Sequence, residues 1–325
     1  MKSINILFLA PHWRVALLKT FQIAFGEPAG NDPHGGSGNL VGADSDPHSP
    51  CQQVLGKFHT LSLFSEPGCV NEVLGICRLQ HIHAVIPLTN KAVEFLDDNR
   101  SAFQSAGVTL FIQDRETIAV CHDKLKLAEF FSESDISIPS TWPAPRTPGD
   151  LRFPLILKQR RGEGGKNSFK LENRKDLEFY VEKYPDHVVQ HFIEGQEFSI
   201  DWYSDQSGRP LVIVPRERLA VRAGEVMVSR IRLDEEIIEA VRDVGGRLKL
   251  RGPCCIQGIR DSEGRFHFTD FNLRFGSGSV HTIKSGANIP LLIYKELAGE
   301  PLEDVARTVQ DGSIMTRYND GFYIQ

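Results

Sequence analysis

Gln257 lies upstream of the run Asp270-Phe271-Asn272-Leu273-Arg274-Phe275-Gly276. Amide oxygens, a carboxylate and a guanidinium at this spacing could hold a hard cation and steady an anion beside it. Apolar and polar residues alternate from Arg265 to Asn272, with Phe271 out of phase with Phe266 and Phe268, after the turn signal Asp261-Ser262-Glu263-Gly264. That pattern reads as a strand, in which side chains two apart share a face, so Asp270 and Asn272 point the same way. Two readings fit the residues alone: an Mg²⁺ site that takes a nucleotide polyphosphate, or a hairpin with a polar outer face.

Further groups upstream bear on the choice. Arg160-Arg161-Gly162-Glu163-Gly164-Gly165-Lys166-Asn167 falls between predicted strands. Its glycines would let backbone N–H groups approach a phosphate, although a glycine-rich hairpin turn has the same composition. The Walker spacing fails, since Asn167 stands where a hydroxyl is needed and a strand follows. Lys158 ends an apolar strand just before this loop; it suits a phosphate oxygen or snorkels to solvent. Lys124 opens a predicted helix that Asp123 could cap. Val188–Phe192 is an apolar strand leading through Ile193-Glu194-Gly195 to Glu197, a hinge that could present backbone to an adenine edge and a carboxylate to a ribose. The first strand is followed by Ala10-Pro11-His12-Trp13-Arg14 rather than a G-x-G-x-x-G turn, which removes the main support for a dinucleotide fold.

The elements that must position these groups fall into two regions. Ile4–Ala10, Asn39–Ala43, His83–Pro87 and Val108–Phe111 read as strands, alternating with helices over Arg14–Phe25, Leu74–His81 and Val93–Ala106. Such alternation indicates a parallel α/β sheet, which ends near Asp114. Ser132–Pro148, rich in Ser and Pro, reads as a connector. Beyond it come strands at Leu155–Lys158, Ser168–Leu171, Val188–Phe192 and Glu197–Tyr203, a hairpin signal at Ser207-Gly208, and helices at Lys175–Lys183, Leu233–Leu248 and Pro290–Ala298. This part has α+β character. The 325 residues suit about two domains, and a net charge of −5 gives no electrostatic footprint for nucleic acid. The six cysteines lack C-x-x-C spacing and read as reduced, buried thiols. No apolar run is long enough to span a membrane, and the expected location is the cytoplasm.

In this order, Asp123-Lys124, Pro154–Lys158 with the loop Gly162–Asn167, Gln190–Glu197, Gly252–Gln257 and Asp270–Arg274 resemble the motifs of the ATP-grasp superfamily. Within it the chain is similar to one synthetase unit of the carbamoyl-phosphate synthase large subunit. The resemblance implies an α/β pre-ATP-grasp domain over residues 1–114. An α+β ATP-grasp domain over 115–325 would follow, with a small lid subdomain about 153–193 and two subdomains sandwiching ATP. It implies that Lys124 and Lys158 contact phosphates beneath a lid loop carrying Gly162, Gly164 and Gly165. Gln190, Phe192 and Ile193 would bind adenine and Glu197 the ribose. Gln257, Asp270 and Asn272 would hold Mg²⁺, or Mn²⁺ in its place. Arg274 would face the transferred phosphoryl group, in a catalytic set with Lys158, Arg216 and Arg222; Arg218 lies in the same substrate-side segment.

The implied function is an ATP- and Mg²⁺-dependent carboxylate–amine ligase acting on small substrates through an acyl-phosphate, with a homodimer as the family-level assembly. The alternative is a catalytically silent ATP-binding subunit, sensor or scaffold. The sequence departs from the family pattern at Asp270, where glutamate is usual, and at Leu273, where proline is. Cys255 takes a place often held by asparagine. Asn90-Lys91-Ala92 replaces an acidic pair, and the glycine-rich insertion at 30–38 is unusual.

Overall fold

The computed structural model describes residues 3–26, 38–162, 167–222, 224–303 and 308–324. The first region is a five-stranded sheet of order β3-β2-β1-β4-β5: β1 (Ile6–Leu9), β2 (Leu40–Asp44), β3 (Lys57–Thr60), β4 (Ala84–Pro87) and β5 (Thr109–Leu110). All its pairings are parallel. The continuous apolar runs of β1 and β4 are buried throughout, as central parallel strands require. Helices α1 (Val15–Ala24), α2 (Cys69–Leu79), α3 (Asn90–Asp98) and α4 (Arg100–Ser105) connect them. The single helix expected over Val93–Ala106 is therefore two. Asn99 breaks it: its backbone leaves helical geometry and its side-chain amide donates to the Phe95 carbonyl at 2.8 Å, the local competition typical of this residue. The short edge strand β3 escapes sequence reading because Lys57-Phe58-His59-Thr60 carries no apolar stripe.

Helices α5 (Arg115–Cys121) and α6 (Lys124–Phe130) lead into a four-stranded sheet of order β6-β9-β7-β8. Its strands are β6 (Thr141–Pro143), β7 (Leu155–Gln159), β8 (Phe169–Leu171) and β9 (His187–His191), with α7 (Arg174–Lys183) packed on it. Thus the Ser/Pro-rich connector supplies a strand: Thr141, Trp142 and Pro143 pair antiparallel with β9. An edge position tolerates Pro143, which lacks an N–H. Leu155, Leu157, Leu171, Leu177 and Val189 form this unit's own core.

The third sheet has order β14-β13-β10-β11-β12-β15, from β10 (Gly195–Ser204), β11 (Pro210–Arg222), β12 (Glu225–Ile231), β13 (Gly252–Asp261), β14 (Phe266–Asn272) and β15 (Ile314–Thr316). Its described internal pairings are antiparallel. On one face Ile200, Trp202, Ile256 and Phe271 meet Ile237, Val241 and Val244 of α8 (Glu235–Arg247). These residues share one core with Leu7, Val41 and Val85 of the parallel sheet. On the opposite face Tyr203, Val212, Val214 and Ile231 meet α9 (Ser279–Lys284), α10 (Ile289–Ala298) and α1. The polar residues of the candidate site occupy the remainder of that second face. All six cysteines are free and buried, as the spacing predicts.

Candidate functional site

Asp270 sits at an irregularity in the sheet. Gln257 pairs with Asp270, but the next residue, Gly258, pairs with Phe268, so Thr269 is the extra residue of a β-bulge. The bulge accounts for Phe271 falling out of phase in the sequence, and it re-aims the side chains that follow. Residues opposite each other share a face, so Gln257 and Asp270 stand side by side. Lys124 Nζ lies 3.1 Å from Asp270 Oδ1. Burial alone would raise the Asp270 carboxyl, yet Lys124, together with Lys158 and Arg218, holds it below the ordinary carboxylate range. Asn272 Oδ1 accepts from Arg274 Nη2 at 3.1 Å, and Arg274 Nη1 donates to the Phe275 carbonyl.

The expected cap at Asp123 is present. Asp123 Oδ1 accepts from the Leu125 N–H at 3.1 Å and caps α6, which fixes where the helix begins and so where Lys124 projects. The same buried carboxylate pairs with Arg160 at 2.8 Å and Arg161 at 3.5 Å. The Lys124 N–H donates to the Arg160 carbonyl at 3.2 Å. The stem of the glycine loop is thereby tied to the start of α6. Gly162 is exposed at the last described position of that stem; Gly164 and Gly165 lie outside the described residues, as does 27–37 of the insertion.

The four-stranded sheet presents a face to this cluster. Ile156 pairs with Gln190 and with Lys170, and Lys158 pairs with Val188, so these side chains share the face opposite the Leu155–Leu157 core. Lys158 from that face acts electrostatically on Asp270, so this face of the four-stranded sheet is turned toward the Asp270 face of the six-stranded sheet. Gln190 is buried, with Nε2 donating to Thr141 Oγ1 at 2.9 Å. The Phe192 N–H is already used, donating to the Pro154 carbonyl at 3.3 Å, and its ring lies 4.7 Å beneath Lys170 Nζ. Ile193 is in the connector from β9 to β10. Glu197, at the start of β10, accepts from Arg218 Nη1 at 2.8 Å.

Comparison with known proteins decides the family. Residues 121–278 match the ATP-grasp domain and residues 6–111 match the PylC-like N-terminal domain. Residues 121–278 are an ATP-grasp domain. A carbamoyl-phosphate synthase of Methanobrevibacter smithii is 24% identical over 204 residues, 61% of this chain and 51% of that protein. The chain thus spans about half the length of this relative. Among solved structures, the biotin carboxylase domain of Hydrogenobacter thermophilus 2-oxoglutarate carboxylase, in complex with MgADP and bicarbonate, superposes with a TM-score of 0.75. It is 14% identical, over 97% of this chain and 74% of that one. N5-carboxyaminoimidazole synthetase of Staphylococcus aureus gives 0.73 at 14% identity, covering 94% and 80% of the two chains. An L-amino acid ligase of Bacillus licheniformis gives 0.69 at 20%, covering 93% and 76%. At these identities the likeness is one of fold.

Within the ATP-grasp domain, the two arginines expected from β11 differ in exposure: Arg216 is buried and Arg222 exposed. Arg216 is fully buried, its Nε donating to Asp201 Oδ2 at 2.8 Å and to Thr282 Oγ1 at 3.1 Å. Ser279 and Thr282 also donate to the Asp201 carboxylate. The guanidinium is buried on the sheet face that carries Gln257 and Asp270. The reason is register: Arg216 pairs with Ser199 in the middle of the sheet and is covered by the loop at Gly278. Arg222 pairs with Glu225 near the tip of the β11–β12 hairpin and is exposed. Arg218, between them, is the arginine of this strand that acts on Asp270. Alternation two residues beyond Arg216 is the signal that would have singled it out. Asp201 was missed because nothing in the sequence marks a buried counter-ion.

The donor set suits one kind of metal binding. Among the described residues no three His, Cys, Asp or Glu side chains gather to hold an ion. Gln257 and Asp270 nevertheless offer hard oxygens side by side, and Mg²⁺ characteristically enters with substrate phosphates on one or two protein carboxylates. The residues fit a nucleotide-borne Mg²⁺ and do not form an all-protein cage. No helix among the described residues is long and apolar enough to cross a membrane.

Proposed function

We propose that this chain is an ATP- and Mg²⁺-dependent ligase that activates a small carboxylate as an acyl-phosphate and joins it to an amine. In this reading residues 1–114 form the pre-ATP-grasp domain, 115–325 the ATP-grasp domain and about 153–193 its lid. The observation that carries the proposal is the convergence of Lys124, Lys158 and Arg218 on the single carboxylate Asp270, where the two sheets face each other. Cations gathered on so little negative charge suit a polyanionic ligand that brings its own charge.

The roles follow from position. Lys124 exchanges its Asp270 partner for a phosphate oxygen, leaving Asp270 and Gln257 to hold Mg²⁺ with Asn272 nearby. Bound there, Mg²⁺ would neutralise charge on the β- and γ-phosphates. Lys158 steadies the phosphates from the opposite sheet, and Arg274, anchored by Asn272 and the Phe275 carbonyl, faces the transferred group. A substrate carboxylate oxygen attacks the γ-phosphorus and ADP leaves; the amine then attacks the acyl carbon and inorganic phosphate leaves. A carboxylate is already ionised, so the first step requires no general base. Catalysis rests on positioning and on preorganised positive charge. Closure of the lid would exclude water from the acyl-phosphate.

A second reading, a nucleotide-binding subunit without turnover, is favoured by one feature: the metal set has a single carboxylate, already paired with a lysine. Incubation with ATP, an amine pool and a pool of ¹⁸O-labelled carboxylic acids separates the two. The ligase reading expects ADP and ¹⁸O in the released phosphate. ATP binding with no ADP across the pools would replace it with the silent reading, and AMP with pyrophosphate would contradict the acyl-phosphate route.

A further inference from the structure

Helix α9 and the loop before it are held from two sides. Ser279 and Thr282, three residues apart and so on one helix face, donate to the Asp201 carboxylate that also pairs with Arg216. From the other side comes the segment 308–317. His281 Nε2 lies 3.2 Å from Ser313 Oγ, Ser285 Oγ lies 2.9 Å from the same hydroxyl, and the Ser285 carbonyl accepts from the Gln310 N–H at 2.8 Å. That segment is fixed to the six-stranded sheet through β15 and through the Arg317 N–H, which donates to the Met227 carbonyl at 2.8 Å.

The Arg317 side chain reaches the loop itself. Its Nη2 donates to the Ser277 carbonyl, and its Nη1 lies 3.3 Å from Glu225 Oε2 on β12. The planar fork thus ties the loop to the sheet at a set spacing. Two residues before Ser277, the Phe275 carbonyl accepts from Arg274 Nη1 at 2.8 Å. The loop between has little room to shift. A Cβ at Gly276 would meet Cys255 Sγ at 2.6 Å, and one at Gly278 would meet Arg216 Nη1 at 2.5 Å.

We propose that Arg317 is a positioning residue for Arg274: by holding the Ser277 carbonyl it sets where the loop places the Phe275 carbonyl, and so the aim of the Arg274 guanidinium. The consequence for phosphoryl transfer rests on the ligase reading; the hold on the loop does not.

Two measurements on the whole protein test this. Hydrogen exchange of a peptide covering 274–281 should quicken about tenfold in Arg317→Ala, the scale of losing one hydrogen bond from a charged donor. Exchange in β13 should stay as in the wild type. Arg317→Lys, whose ammonium can still reach the Ser277 carbonyl, should keep most of the protection. Unchanged exchange in Arg317→Ala, or equal quickening in β13, would overturn the inference whatever the activity. In ADP formation, Arg317→Ala should lower kcat about tenfold with the KM for Mg²⁺–ATP within about twofold of wild type, and should cost nothing further in an Arg274→Lys background. Losses that multiply would show that Arg317 acts apart from Arg274 and would overturn the positioning role. A wild type that forms no ADP would contradict the ligase reading, and the exchange measurement would still decide whether Arg317 sets the loop.

Discussion

Asp270 and Arg216 look alike in sequence, as charged residues on polar strands, but the fold uses them in opposite ways. Asp270 faces the four-stranded sheet and is held ionised by cations from separate elements. Under the proposed function, Asp270→Asn removes the carboxylate of the proposed Mg²⁺ set and should lower ADP formation by about a hundredfold or more, the scale of losing a charged group aimed at phosphoryl transfer. Asp270→Glu should be tolerated; steady-state ADP release compares the two. Arg216 instead balances the buried Asp201. Arg216→Met leaves that carboxylate uncompensated and should cost about 3 kcal/mol or more in urea denaturation. The juxtaposition of Gln257 and Asp270 was legible because such residue types are rare on strands at that spacing. The Asp201 support was not, because burial of an ion pair is decided by which loop covers it, and no local pattern encodes that.

Helix α8 lies so close to the central sheet that a methyl group decides the fit. A Cβ at Gly245 would meet the Trp202 ring at 2.5 Å, whereas one at Gly246 would meet nothing within 4 Å. Alanine gains up to about 1 kcal/mol over glycine inside a helix, but overpacking costs about 1–3 kcal/mol. Gly246→Ala should therefore raise the thermal midpoint and Gly245→Ala lower it. Apolar periodicity made the strands and α8 readable at this scale. It missed the Asn99 break, where a side chain captures a helix carbonyl. It also missed β6, whose Ser/Pro-rich sequence becomes a strand only because β9 is there to pair with it.

The parallel sheet and the six-stranded sheet share one hydrophobic core, while the four-stranded sheet has a core of its own. That separation is compatible with the lid role proposed for the four-stranded unit. It also makes buried groups beneath the site report on global stability. Burial, with the charge of Arg216 added, lowers the His281 imidazole to about 4 from its ordinary 6.5. The unfolded chain thus binds more protons in that interval. His281 contributes its full stability above pH 6.5 and loses it as pH falls toward about 4. In urea titrations across this range, His281→Gln should flatten the decline; an unchanged slope would show that other groups set it. Lys158 of the four-stranded sheet acts on Asp270 of the six-stranded sheet, and ATP is the ligand proposed to answer that charge. Titration of Mg²⁺–ATP into wild type and Lys158→Ala tests this most directly. The account predicts one nucleotide per chain, Mg²⁺-dependent, weakened at least about tenfold in the variant. Equal affinity in both proteins, or no binding to the wild type, would contradict it.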